Sequence, residues 1–292
     1  MGVIYLATDF HLSDPYVAIM KSRIHLIVPD IKIIDLSHDI RNFDIEYGSW
    51  FLYYCYKNLE KPSIICMVVD PGVGTNRKAI IVKIQKSFFI LPDNGLISVI
   101  LKDPYIKEKD KVEYYEILPL KLKELYLKKI KKFEINYEIS NTFHGRDVFA
   151  PATGVIARNT KYIKDFTIKI QNIFINENII FPQYLDFKKQ NIYKGKFVYF
   201  DHFGNLFTNL YLDNSFLENK NDNLSLKIIE KDQIILELNS ISRTFGFKKR
   251  NEFLFYRGSF GFIELAKNQN SAFKEWDDWQ RIKNFDVIIE KI

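Results

Sequence analysis

Apolar runs of strand length alternate with segments of helical period through the first half of the chain. VIYLATD is a short apolar run ending on Asp9, and DPYVAIMKSRIHLIV has apolar residues at helical spacing, with Asp14 placed as its N-cap. IKIIDLS reads as a second strand, and Asp44 to Leu59 as a second helix with Trp50, Phe51 and Tyr54 on its buried face. ICMVV, AIIVKI and SFFILP follow as strands, then the turn Pro92–Gly95 and a third helix, LISVILK. A fourth helix is expected from near Gly145 through RDVFAPATGVIAR. Strands separated by helices of these lengths predict an α/β domain whose mostly parallel sheet is flanked by helices.

Beyond about residue 185 the period changes from helical to short and strand-like. YKGKFVYF, NLFTNLYL, LSLKIIE, QIILELN, EFLFYRG and FGFIELA are separated by Asn, Asp, Lys and Gly turns, the pattern of a small all-β domain. The expected division is therefore residues 1–185 and 192–292, with the polar stretch Asp186 to Asn191 between them. The segment after Trp276 carries no assignment.

A length of 292 residues at 47% hydrophobic is enough to build two cores of this kind. No apolar run reaches the roughly 18 residues of a membrane span, and MGVIYLATDF meets Asp9 too early for a signal peptide. Cys55 and Cys66 lie in apolar segments without CxxC spacing, so they read as buried small hydrophobes of a reducing, cytoplasmic protein. The net charge of +6 is spread along the chain, with one dense run, KLKELYLKKIKKFE. Leu122, Leu125, Ile130 and Phe133 fit one face of that segment and the lysines the other, a solvated helix face with no aromatic-basic motif for nucleic acid.

The candidate chemistry sits at strand ends. In VVDPGVGTNR, an apolar strand delivers Asp70 to its end, a Pro-Gly-x-Gly loop turns back, and Arg77 opens the next β-branched run. Asp70 and Arg77 are thus expected to face each other at one sheet edge, where ligands of open α/β sheets bind; the pair is either a site or a brace. Asp9 and Asp35 also mark strand ends. FHGRDVFAP places His144 and Arg146 at a helix start, where His144 either reaches toward Asp70 or caps the helix while Arg146 pairs with Asp147. The loop glycines satisfy neither the P-loop nor the dinucleotide pattern, since this loop opens a strand. His11 and His38 lack metal-ligand spacing. In the second half, Asp201 and Asn205 offer polar handles, Phe203 or Phe245 a flat surface for a ring, and Ser259 a loop hydroxyl.

Seven blocks in order, LATDFHLSDPYVAIMK, DLSHDI, VVDPGVGTNRKAI, ILPDNGLIS, FHGRDVFAPA, DHFGNLFTN and GSFGFIELAKN, resemble the S-adenosyl-L-methionine (SAM) hydroxide adenosyltransferase family. These are the SAM hydrolases related to the fluorinase and chlorinase enzymes. The resemblance spans residues 6 to 268. It implies an N-terminal α/β domain joined to a C-terminal barrel-like β domain. It also implies a homotrimer with substrate held between the N-terminal domain of one subunit and the C-terminal domain of the next.

The family's Asp-Arg-His triad falls on Asp70, Arg77 and His144; the halogenase branch has Tyr at the Asp position. By the same correspondence Asp9 holds the ribose diol, Asp14 and Asp201 meet the methionine ammonium, and Ser259 meets its carboxylate. Asn205 contacts the adenine between Phe203 and Phe245, and Phe43 stands where halogenases carry a covering Trp. His11 replaces a glycine usual in the family, and Phe260 and Lys267 stand where halogenases carry Arg. SAM is then the substrate, with no cofactor and no metal, and the implied reaction is its hydrolysis to adenosine and L-methionine. A halogenase of the same family and a non-catalytic SAM or adenosine binder are the alternatives.

Overall fold

In the computed structural model, residues 2–107, 111–130, 137–218 and 223–292 are described, and the chain divides into two compact units, Met1–Glu177 and Asn178–Ile292. Among the described residues no helix is long and apolar enough to cross a membrane.

The first unit is built on seven strands: β1 (Val3–Thr8), β2 (Lys32–Ser37), β3 (Ile64–Val68), β4 (Ala79–Ile84), β5 (Ser87–Pro92), β6 (Val112–Ile117) and β7 (Thr167–Ile170). Their spatial order is β2-β1-β3-β5-β4-β6-β7. The first four are mutually parallel; β4 runs antiparallel to β5 and β6, and β7 antiparallel to β6. The mostly parallel sheet expected from the sequence is present. β6 and β7 went unread because both are half-polar and one follows a charged stretch.

Helix α1 (Tyr16–Ile27) packs on one face of the sheet with a later helix, and α2 (Ile45–Asn58) on the other. β3 and β5 show why their sequences are almost wholly apolar: Ile64, Cys66, Val68, Phe88 and Ile90 join the core beneath α1, while Phe89 meets Tyr56 of α2 with ring centroids 5.0 Å apart. Since the chain leaves β1 toward β2 and then returns past β1 to β3, the loops after β1 and β3 flank a switch point in strand order. Asp9 opens the first of those loops, and Asp70 is the second residue of the other.

Several local expectations are corrected. Pro15, not Asp14, occupies the N-cap of α1, and it makes no side-chain capping bond; the proline's fixed φ starts the helix one residue later. Asp44 does cap α2, accepting from the Tyr47 N–H at 2.9 Å, but Phe51 is half-buried while Trp50, Tyr53, Tyr54 and Tyr56 form the buried face. Asp35 lies inside β2 rather than at its end and bonds Lys21 at 2.6 Å. After α3 (Ser98–Lys102) and α4 (Pro104–Lys107), the lysine-rich run forms α5 (Pro119–Leu125) and a π-helical turn, Tyr126–Ile130. Leu122 and Leu125 are buried as its pattern requires; Phe133 lies outside the described residues.

The second unit begins earlier than the expected boundary. β8 (Gln183–Tyr184) pairs in parallel with β11 (Leu206–Tyr211), which draws the residues before 186 into this unit; β9 (Ile192–Gly195) and β10 (Phe197–Phe200) lie between them in sequence. The remaining strands are β12 (Leu224–Glu230), β13 (Gln233–Leu238), β14 (Phe253–Arg257), β15 (Phe262–Lys267) and β16 (Asp286–Lys291). β10-β11-β15-β14 and β8 make one sheet and β13-β12-β16-β9 a second. One core joins them, with Leu206, Phe255 and Leu265 from the first and Leu226, Ile228 and Ile289 from the second. The expected barrel-like domain is thus two packed sheets, with no closed barrel among the described residues. β16, which lies in the unassigned C-terminal segment, completes the smaller sheet.

Candidate active site

Asp70 follows the carboxyl end of β3, and Arg77 precedes β4, whose Ala79 pairs with Pro92 of β5. The loop between them is stitched by its own groups: Val73 N–H donates to Asp70 O at 3.2 Å, and Thr75 Oγ1 donates to Gly72 O at 2.7 Å. Asn94, from the turn after β5, donates its amide to Val69 O at 2.9 Å and so fixes the strand end that bears Asp70. Two features of the sequence, an apolar strand and a Pro-Asp-Asn-Gly turn, therefore converge on one carboxylate.

The Arg77 guanidinium grips that carboxylate with both arms of its fork, Nε to Oδ1 at 3.0 Å and Nη2 to Oδ2 at 2.5 Å. Nη2 also donates to His144 Nδ1 at 3.2 Å, and Nη1 donates to Lys78 O at 2.9 Å. Both side chains are almost fully buried, 7% exposed for Arg77 and 5% for Asp70. Phe149 lies under the guanidinium, its ring centroid 5.4 Å from Cζ. Sequence reading missed Phe149; its position five residues after His144, on a helical turn, was the available signal.

His144 stands at the N-terminus of a π-helical turn, Gly145–Phe149, that leads into α6 (Ala150–Arg158). Its imidazole makes no capping bond, so the capping alternative falls away and the ring is free to meet Arg77. The other half of that alternative holds. Arg146 pairs with the fully buried Asp147 at 2.6 Å, and Asp147 also accepts the Ser140 N–H at 3.0 Å, tying down the segment before His144.

Protonation follows from burial and charge. Burial raises the Asp70 carboxyl above its ordinary value of 3.8, against the opposing pull of Arg77. Burial, then the charge of Arg77, lowers the His144 imidazole below its ordinary 6.5. An Arg has donors only, so the neutral His144 accepts at Nδ1 and carries its proton on Nε2. Of the five guanidinium N–H groups, the bonds above engage four and leave one on Nη1.

Asp9 belongs to the same edge and is 8% exposed. Its Oδ2 accepts the Phe43 N–H at 3.0 Å, and burial, partly opposed by that bond, raises its carboxyl. Asp70 adds to the rise, which places the two carboxylates within electrostatic reach of each other. Phe43 is 69% exposed and left-handed, with φ of 63°. His11 is also left-handed, with φ of 56°, which explains why glycine suits that position. Here the ring holds the turn instead, with Nδ1 2.9 Å from Asp39 and Nε2 2.9 Å from Asn42. Asp14 is exposed and joins none of these contacts.

Within the second unit, Asp201, Phe203, Asn205, Phe245 and Ser259 line one open cleft of about 830 Å³. Asp201 and Asn205 close a turn on each other: Asn205 N–H donates to Oδ1 at 2.9 Å and its amide to Oδ2 at 2.8 Å. Phe203 is 73% exposed and Phe245 36%, and both rings border the cleft. Glu264 and Tyr256 line the same cleft and were not anticipated. In the sequence Glu264 is an isolated Glu in the alternating run FGFIELA, on the face opposite Ile263 and Leu265.

The profile of the SAM hydroxide adenosyltransferase N-terminal domain matches residues 4–166, and that of its C-terminal domain residues 195–277. A protein of Methanocaldococcus jannaschii named (R)-S-adenosyl-L-methionine hydrolase is 31% identical over 94% of this chain and 91% of its own length. One of the same name from Thermus thermophilus is 27% identical over 93% of this chain and 94% of its own. The crystal structure of an uncharacterized conserved protein from Thermotoga maritima matches 98% of this chain and 99% of its own, with a TM-score of 0.76 and 27% identity. With matches over both units and the Asp-Arg-His cluster at the switch-point edge, this chain belongs to the SAM hydroxide adenosyltransferase family.

Proposed function

We propose that this protein is a SAM hydrolase, converting SAM and water to adenosine and L-methionine by in-line attack of water or hydroxide at C5′. The observation that carries this reading is the contact of Arg77 with both Asp70 and His144 at the edge where Asp9 also lies. Within it, Asp70, Arg77 and His144 serve the nucleophile. Asp9 takes the ribose diol, Phe43, Phe203 and Phe245 cover flat surfaces, and Asn205 reads the adenine. Asp14, Asp201 and Ser259 hold the amino-acid end. Copies assemble as a homotrimer in the cytoplasm, with each site completed at a subunit interface.

The chemistry asks little of an acid. A sulfonium leaves as a neutral thioether, so the difficulty lies in making and aiming the nucleophile. The remaining Nη1–H of Arg77 and the Nε2–H of His144 are donors that favour hydroxide over water. Asp70, its basicity raised by burial, is the proton acceptor. An anionic oxygen and a cationic sulfur lose charge as they react, which a water-poor site favours.

Acidification reverses each requirement. Asp70 must be ionised, and its carboxyl titrates above 3.8; His144 must be neutral to accept from Arg77, and its imidazole titrates below 6.5. Protonation of either group acts in the same direction, so turnover at saturating SAM is expected to fall on acidification. A kcat profile shows this directly, and turnover that rises as pH falls contradicts the assignment.

The function itself is tested by incubating the protein with SAM, with and without chloride, and separating the products. Adenosine and methionine in both cases support the hydrolase. A halonucleoside in chloride supports the halogenase, and intact SAM the binder.

A further inference from the structure

Glu264, on β15, is 4% exposed and lines the second-unit cleft together with Asp201 and Ser259. Its Oε2 accepts the Tyr256 hydroxyl at 2.7 Å, from the residue directly opposite on β14. Among the described residues no Lys, Arg or His pairs with it. Lys267 in the same cleft is taken up by Glu275 at 2.7 Å. Gly258 is shaped around the carboxyl: a Cβ there would lie 1.6 Å from Glu264 Oε1. That glycine opens the turn that presents Ser259 and closes with Gly261 N–H donating to Gly258 O at 3.0 Å. A buried carboxyl with a neutral partner, in a cleft lined by a second carboxylate, calls for a cation from outside.

We propose that Glu264 is a substrate-positioning residue that, with Asp201, receives the cationic amino group of the substrate's amino-acid end. This rests on the SAM hydrolase reading. Tyr256 orients the carboxyl, and the bare backbone of Gly258 lets it sit directly beneath the Ser259 turn.

The titration of Glu264 provides the readout. Burial raises its carboxyl from 4.5 to about 7, the Tyr256 hydroxyl opposing and Asp201 adding to the rise. The charged and titratable groups around it are Tyr256 on β14, Asp201 in the turn after β10, and Lys267 and Lys274 along the cleft. Because only the ionised carboxylate attracts an ammonium, KM for SAM falls as pH rises toward and through about 7. The range to use lies below the amine's own titration, roughly 7.7–8.0 for an α-amino group.

The experiment measures kcat and KM for SAM against pH in the wild type, Glu264→Gln and Tyr256→Phe. It is repeated with the sulfonium analogue that lacks the amino group. Glu264→Gln is expected to raise KM for SAM about tenfold or more at the upper end of the range, with kcat little changed. It should also erase the pH dependence of KM near 7 and leave KM for the deaminated analogue as in the wild type. Tyr256→Phe keeps the carboxyl but removes the donor that lowers its pKa, so the midpoint moves to higher pH. This second variant decides the matter if the first does not fold.

An equal rise in KM for SAM and analogue, or an unchanged midpoint in Tyr256→Phe, overturns the proposal. Wild-type protein that fails to release adenosine and methionine refutes the hydrolase reading instead. Active wild type with an indifferent Glu264→Gln refutes only the role of Glu264.

Discussion

Arg77→Ala is expected to cut SAM turnover about 10²-fold or more while SAM binding is largely kept. The guanidinium is the one group that touches both other members of the cluster, donating to Asp70 and to His144 Nδ1. Its removal takes away the positive charge between Asp70 and His144 and frees the His144 tautomer. It also leaves the Asp70 carboxylate buried without a partner, and burial already raises that carboxyl. At neutral pH the variant is therefore expected to hold more protonated Asp70, so that on the proposed reading it loses its base along with its cation. Breaking a buried pair costs about 3–5 kcal/mol of stability, so melting must be followed alongside kcat and binding. Arg77→Lys restores the charge but not the fork that grips two oxygens and an imidazole at once, so it should recover binding geometry poorly. A folded Arg77→Ala variant with wild-type turnover would mean that the cluster is only a brace.

Gly74→Ala carries the second large effect, and it acts through the backbone. Gly74 has φ of 78°, and a Cβ placed on it lies 2.5 Å from the backbone oxygen of Asn141. That oxygen belongs to the segment that delivers His144, and it cannot swing aside as a side chain would. The substitution therefore has to push the Asp70–Arg77 loop away from His144 or force the loop out of its left-handed turn. A shift of about 1 Å between reacting groups can cost on the order of 10²-fold, and positive-φ strain adds about 1–3 kcal/mol. We expect kcat to fall at least about tenfold with a lowered melting temperature. Gly72→Ala is the control. Gly72 has no positive φ, and the nearest atom to its Cβ is Thr75 Oγ1 at 3.5 Å, so kcat and melting should stay near wild type. Equal effects at the two glycines would show that the loop tolerates no side chain anywhere, and the argument from Asn141 would fail.

The glycines of this loop illustrate what could be read in the sequence and what could not. Their spacing ruled out a phosphate cradle, but nothing in a linear pattern shows that one of them lies against a carbonyl some 70 residues away. The strands β3, β4 and β5 were legible because they are buried on both faces and so almost wholly apolar, Lys83 and Ser87 being the exceptions. β7, four residues long and partly exposed, and β16, only alternately buried, left no such trace. Asp70 and Arg77 were placed face to face by the strand-loop-strand pattern alone. His144 needed the tertiary structure, since both a capping role and a reach to the sheet edge were compatible with FHGRDVFAP. Asp14 was misread as an N-cap because an acidic residue before a helical pattern outweighed the proline that follows it. Glu264 escaped notice because an isolated Glu in an alternating strand is ordinarily a solvent-facing residue. Only the fold turns it inward over Gly258.

The central claim is that water, aimed by Asp70, Arg77 and His144, displaces methionine at C5′ of SAM. The most direct test is turnover of SAM in water enriched in heavy oxygen, with mass analysis of both products. The account predicts one heavy oxygen in the adenosine, at the 5′ hydroxyl, and none in the methionine. Unlabelled adenosine, label in methionine, or a 5′-halonucleoside in its place would contradict it.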